Sequence, residues 1–228
     1  MNIDANFIKE ILKNFVQLTV FVFVIKEALV FSKDFKKKIN YTFEVWKEFT
    51  FKKLLLIIPL GFITFYISSL LNKIEFLSYG WTYLIFNKNK SILFSSLDLE
   101  NINVYSISGT LSICILFLFL IPHFAYYEEF IFRNKTINLK SRIKKSILFG
   151  LVHCLMGISL GTGFALAIPG FLYSYIYAKS FKKSKIIDVL KKEEAALKKA
   201  VIYHTMMNTI LFVLIIFCLF FLLYIKLL

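Results

Sequence analysis

Acidic side chains are scarce in this chain: 14 aspartates and glutamates stand against 28 lysines and arginines among 228 residues, a formal net charge of +14. Glycine (8), proline (3), cysteine (3) and histidine (3) are scarcer still. So little glycine and proline excludes a collagen-like or Pro/Gly-rich disordered chain. Cys114, Cys154 and Cys218 each lie in an apolar run, which excludes a secreted disulfide scaffold and reads them as small buried hydrophobes. They say nothing of redox compartment. Internal repeats and low-complexity linkers are missing too, so one domain is the simplest organisation.

What the chain has in abundance is apolar surface. Hydrophobic residues make up 58%, aromatics 18% with 27 phenylalanines, and the mean hydropathy is +0.71. Exchanging tyrosine for glycine in that count leaves about 56%, against about 45–50% in a soluble domain. A globular core cannot absorb apolar runs of some twenty residues that have no polar face. Here the runs are Phe15–Phe31, Leu54–Leu71, Val104–Phe132, Ser146–Leu160, Gly161–Ala178 and Ala200–Ile225. The pair between Ser146 and Ala178 is short for two full crossings, and Gly157, Gly161, Gly163 and Pro169 are expected to turn the chain inside a bundle. Phe76–Phe86 reads as re-entrant or interfacial. Together these runs predict an all-α, polytopic integral membrane helix bundle of about six to eight helices. At the N-terminus Asp4 and Glu10 neutralise Lys9 and Lys13, and no small-residue cleavage site follows, so the first segment is expected to stay attached.

The basic excess is confined to loops. Residues 32–53, 133–145 and 179–199 hold 21 of the 28 lysines and arginines. By the positive-inside rule those three loops are cytoplasmic. The segment Asn87–Asn103 balances Lys88 and Lys90 with Asp98 and Glu100, as an opposite-side loop does. Six crossings with both termini outside satisfy every loop. The charge therefore orients the chain and argues for membrane lipid, not nucleic acid, as its surroundings. Phe35–Phe51, with Trp46 among lysines and phenylalanines, reads as an amphipathic helix on the cytoplasmic face. A composition rich in lysine, isoleucine and phenylalanine is compatible with an AT-rich microbial genome, and hence with a plasma membrane.

Inside the apolar runs the informative residues are the costly ones, because ionisable groups at depth persist when paired, solvated in a cavity or functional. Glu128 and Glu129 lie in Ala125-Tyr-Tyr-Glu-Glu-Phe-Ile-Phe-Arg133, His153 closes Phe149-Gly-Leu-Val-His153, and His204 opens His204-Thr-Met-Met-Asn208. Glu129 and Arg133 are i and i+4, neighbours on one helix face and a candidate ion pair, whereas Glu128 projects about 100° away. One glutamate is structural and the other free. Phe149 and His153, and likewise His204 and Asn208, also share a face. Counted from Arg133, Lys145 and Lys199, the polar groups lie about 7 to 12 Å inside their cytoplasmic helix ends at 1.5 Å per residue. A carboxylate, two imidazoles and an amide at one level are what activation of water requires, the carboxylate as general base and the donors around a developing oxyanion. Glu128, His153 and His204 also compose a two-histidine, one-carboxylate set acceptable as an open zinc site.

Other patterns carry less. Gly157-Ile-Ser159-Leu-Gly161 matches the nucleophile elbow, but that motif needs a strand before it and a soluble sheet around it. No His-Glu-x-x-His is present, so a zincin-like mechanism is unsupported. His123, beside Pro122, fits no motif and is expected to serve a helix kink and local hydrogen bonding.

Two glutamates with arginine at i+4 from the second, then Phe-x-x-x-His, then His-x-x-x-Asn, in that order on successive membrane segments, resemble the CAAX protease and bacteriocin-processing (Abi) family. The resemblance covers roughly Ser106–Ile225 and includes all three motifs. It implies an intramembrane endopeptidase in which Glu128 and His153 activate water and His204 and Asn208 bind the scissile carbonyl. Glu129, Arg133 and Phe149 would orient the site. It also implies no cofactor, a substrate that is a membrane-associated peptide or protein, prenylated or bacteriocin-like, and a division into N-terminal membrane helices with an interfacial segment (1–103) and a catalytic core (104–228). Two other classes fit the same residues: a non-catalytic immunity or scaffolding protein, and a transporter with a proton relay.

Overall fold

The computed structural model describes residues 32–81, 83 and 104–227, together with 11, 15, 18, 22, 25, 26, 29 and 30; for 105, 106, 226 and 227 it describes the backbone alone. The expected span Phe15–Phe31 therefore falls largely outside the described residues, and the loop Asn87–Asn103 entirely so. Among the described residues every regular element is helical: α1 (Phe35–Lys47), α2 (Phe51–Leu71), α3 (Glu75–Ser78), α4 (Val104–Arg133), α5 (Leu139–Val152) continued by a 3₁₀ turn (His153–Met156), α6 (Leu160–Lys183) and α7 (Val189–Leu227). The chain is an all-α helix bundle.

Three of these helices are long and apolar enough to cross a membrane: Phe51–Leu71, Ile107–Arg133 and Val189–Ile225. The 21 residues of α2 span about 32 Å at 1.5 Å per residue, close to the about 30 Å of bilayer hydrocarbon. Their large apolar side chains face outward, with Phe62 71%, Phe65 76% and Phe217 70% exposed. Such surface is tolerated in lipid and not in water. Pro59, Pro122 and Pro169 each sit inside a helix that continues through them, a tolerance typical of membrane helices.

Local chemistry sets the element ends. Asn138, in extended backbone, accepts a hydrogen bond from the Ser141 amide at 2.7 Å and so starts α5 inside the basic loop. Ser159 caps α6 in the same way, accepting from the Thr162 amide at 3.2 Å. Between them Gly157 (φ 87°) is the one described glycine at positive φ, and it makes the turn. Gly161, Gly163 and Pro169, which the sequence suggests as turn-formers, lie within α6 instead. Their use is close packing. A Cβ on Gly150 of α5 would lie 2.1 Å from the Gly163 carbonyl oxygen, and one on Gly163 would lie 2.5 Å from Cys154 Sγ. Lipid offers no hydrophobic drive between helices, so close backbone approach supplies the attraction. Of the two short runs, α5 has 14 residues and α6 has 24, and neither is among the helices that meet both length and apolarity for a span.

The helix α6 is central, packing on α2, α5 and α7, while α4 pairs with α7 and α1 lies against α4 and α7. The α2–α6 contact ends in a polar knot, where Asn72 Nδ2 donates to Thr162 Oγ1 at 3.1 Å and Ser159 Oγ donates to Asn72 Oδ1 at 2.7 Å. The apolar piece after α3 reaches the same place: the Leu160 amide donates to the Tyr79 carbonyl at 3.1 Å and the Trp81 indole to the Leu155 carbonyl at 3.2 Å. The amphipathic helix expected over Phe35–Phe51 ends at Lys47, and Phe51 already belongs to α2. His123 reaches beyond its own helix: Nε2 meets the Lys38 carbonyl at 3.1 Å, and Thr42 Oγ1 donates to the Phe119 carbonyl beside it, so this polar pair docks α1 onto α4.

Candidate active site

The last two turns of α4 carry both glutamates, and the helix period separates their surroundings. Glu129 and Arg133 are completely buried, with Arg133 Nε donating to Glu129 Oε2 at 3.0 Å. The other carboxylate oxygen of Glu129, Oε1, accepts from His204 Nδ1 on α7 at 2.9 Å. Both oxygens of this carboxylate are thereby engaged. The Arg133 guanidinium lies 4.6 Å over the face of the Phe149 ring, a cation–π contact inside the bundle. Gly170 makes room for it, since a Cβ there would come within 2.8 Å of Phe149 Cδ1 and 3.4 Å of Arg133 Nη2.

Glu128 is placed differently. Its side chain is one-third exposed, and Oε2 faces His153 Nε2 at 3.6 Å and His204 Nε2 at 3.7 Å. Those separations exceed a direct hydrogen bond, and among the described residues Glu128 Oε2 is a buried atom without a hydrogen-bond partner. His153, at the junction of α5 and its 3₁₀ turn, donates from Nδ1 to the Phe149 carbonyl at 2.7 Å. That bond leaves Nε2 of the neutral ring as an acceptor aimed at Glu128. In His204 the Nδ1 bond to Glu129 does the same for its own Nε2.

Six of the seven residues singled out in the sequence thus meet around one point: Glu128, Glu129, Arg133, Phe149, His153 and His204. Phe149 is the common wall, edge-on to both imidazoles at 4.7 and 5.5 Å between ring centroids. Asn208 is the seventh. It lies one turn beyond His204 on α7, half-buried, without a hydrogen-bond partner among the described residues. Missed from the sequence was Tyr173 of α6, 1% exposed and stacked on His204 at 4.9 Å with 16° between the planes. In a chain with 12 tyrosines only its i+3 spacing from Gly170 sets it apart. The decoy Ser159 is accounted for as a helix cap, and its hydroxyl meets Asn72 and Thr162, not a histidine. Among the described residues no group of three or more His, Cys, Asp and Glu side chains is arranged to hold a metal ion.

Compared with family models, curated proteins and solved structures, the chain matches none.

Proposed function

We propose that this protein is a glutamate-dependent intramembrane endopeptidase of the CAAX protease and bacteriocin-processing kind, hydrolysing a peptide bond in a membrane-associated peptide or protein. The observation that supports this reading is the convergence of two imidazole Nε2 atoms on the unpartnered Glu128 Oε2. A second carboxylate, Glu129, is meanwhile held by Arg133 and His204. A water seated beside this pair, within hydrogen-bond reach of both Glu128 Oε2 and His153 Nε2, would be the nucleophile. Glu128 takes its proton as the oxygen attacks the scissile carbonyl carbon, a role that contributes about 10²–10⁴-fold. The oxyanion is met by His204, donating from Nε2 when doubly protonated, and by the amide of Asn208. The proton held by Glu128 then passes to the leaving amine as the C–N bond breaks.

The basic loops put the site in the cytoplasmic leaflet of a multi-pass protein, and the lysine-, isoleucine- and phenylalanine-rich composition suits a microbial plasma membrane. Comparative membrane proteomics of wild-type and Glu128→Gln cells tests the reading, followed by cleavage assays on the purified protein. Glu128→Gln is expected to abolish product release, about 10³-fold or more. Equal cleavage by the variant removes the endopeptidase reading. A phenotype that survives substitution of both Glu128 and His153 points to a non-catalytic immunity or scaffolding role. Chelators are expected to leave the rate unchanged; loss restored by zinc would make Glu128, His153 and His204 a metal site. The run Glu129–His204–Glu128–His153, joined by one hydrogen bond and two gaps of 3.7 and 3.6 Å, favours a proton relay as the second reading, supported by proteoliposome flux that Glu128→Gln abolishes without any proteolysis.

A further inference from the structure

The two imidazoles of the site are held in different ways. His153 hangs on its own helix, through the hydrogen bond from Nδ1 to the Phe149 carbonyl one turn back. Its direction follows wherever α5 goes. Among the described residues the hydrogen bond and ring contacts of His204 come from other helices: Glu129 of α4 at Nδ1, Phe149 of α5 at 5.5 Å and 81°, and the face of Tyr173 from α6 at 4.9 Å and 16°. One hydrogen bond at Nδ1 holds the ring only within the tolerance of its own length and angle, so the plane can still rock about the Cβ–Cγ bond. A flat, buried surface parallel to the ring removes that freedom.

We infer that Tyr173 is a positioning residue for His204, its ring face setting the imidazole plane so that Nδ1 meets Glu129 while Nε2 faces Glu128. The helix α6 contributes no polar group to the glutamate–histidine set, so this ring face is its part in the site. Two features make it effective. Tyr173 is itself immobilised, 1% exposed and edge-on to Phe149 at 6.3 Å. Gly170, one turn before it, lets Phe149 and Arg133 close on the same side. The ring face, not the hydroxyl, meets His204, so phenylalanine should serve equally and an aliphatic residue of similar bulk should not. This deepens the endopeptidase reading and rests on it for its kinetic consequence alone.

The experiment uses the full-length protein in nanodiscs with isotope-labelled histidine. With three histidines in the chain, the signals are assigned from His123→Asn and His153→Asn variants. In wild type the carbon-bound ring protons of His204 are expected to be shifted upfield by the stacked ring, with the Nδ1-protonated tautomer dominant. Tyr173→Phe should preserve both. Tyr173→Leu should lose both, leaving the His153 and His123 signals in place. On a farnesylated, quenched-fluorescence peptide ending in a CAAX sequence, Tyr173→Leu should lower kcat about tenfold, as misorientation of a reacting group does, with KM near wild type. Tyr173→Phe should restore the rate. An unshifted His204 in wild type, an unchanged His204 in Tyr173→Leu, or a Tyr173→Phe protein that behaves like Tyr173→Leu overturns the inference. If Tyr173→Leu does not fold, the wild-type and Tyr173→Phe spectra decide it. Spectra as expected with no hydrolysis in any form leave Tyr173 as the support of His204 and remove the endopeptidase reading instead.

Discussion

At the scale of residues, two adjacent glutamates acquire opposite fates because a helix turns 100° per residue. Glu129 faces inward, where a buried carboxylate is tolerable only with its charge paired and both oxygens bonded. Arg133 and His204 meet that need. Removing one partner of such a pair costs about 3–5 kcal/mol, because the other charge is left buried and unpaired. Arg133→Met is accordingly expected to lower the thermal midpoint in detergent sharply, and Glu129→Gln added in the same chain should recover part of the loss. Additive losses in that double-mutant cycle would show that the pair is not coupled. This much was legible in the motif, since the i, i+4 spacing singles out Glu129 as the partner of Arg133. The acceptor role of Glu129 toward His204 was not legible. It depends on how α4 meets α7, which spacing within either segment does not encode.

At the scale of elements, α5 and α6 form a hairpin whose axes approach until glycine backbones touch. The sequence marks Gly161, Gly163 and Pro169 as turn signals, yet a turn needs positive φ only at Gly157, and the other glycines are consumed by contact. Gly150→Ala would drive a methyl against the Gly163 carbonyl, an overpacking that costs typically about 1–3 kcal/mol. The hairpin carries His153 at its tip, so loss of stability should be joined by loss of activity. Gly109→Ala is the control. Among the described residues nothing lies within 4 Å of a Cβ there, and in a helix interior alanine is favoured over glycine by up to about 1 kcal/mol. Thermal unfolding of both variants should show opposite signs; a Gly150→Ala protein as stable as wild type would mean that the helices can part without cost.

At the scale of the whole molecule, the basic loops shrink when the helices form. The sequence treats 133–145 and 179–199 as loops, but α5 begins at Leu139 and α7 at Val189, leaving short connections at 134–138 and 184–188. Helix-forming residues and the Asn138 cap extend each helix beyond its apolar stretch. Lysines on the α7 extension then tie it to α1 and the residue after it: Lys198 pairs with Glu44 at 3.4 Å and Lys199 with Glu48 at 3.7 Å, both exposed. The orientation that the charges imply is open to a direct check. In a background with Cys114, Cys154 and Cys218 replaced, an impermeant maleimide applied to intact cells should label Lys73→Cys and spare Lys185→Cys until the membrane is opened. The reverse pattern would invert the bundle and move the site to the outer leaflet.

The sequence by itself determined that this chain is helical, apolar on its outside and poor in buried charge, because hydropathy and spacing are properties of contiguous residues. It also determined which rare polar groups to consider, since each ionisable residue in an apolar run is conspicuous against its neighbours. Only the tertiary structure decided that Glu128 meets both imidazoles, that His123 docks α1 and that Tyr173 lies flat on His204. Those relations join residues far apart in the chain. They are set by where glycines let helices close and by which partner can satisfy a buried polar atom, and both follow from packing between helices, not from the pattern within any one of them.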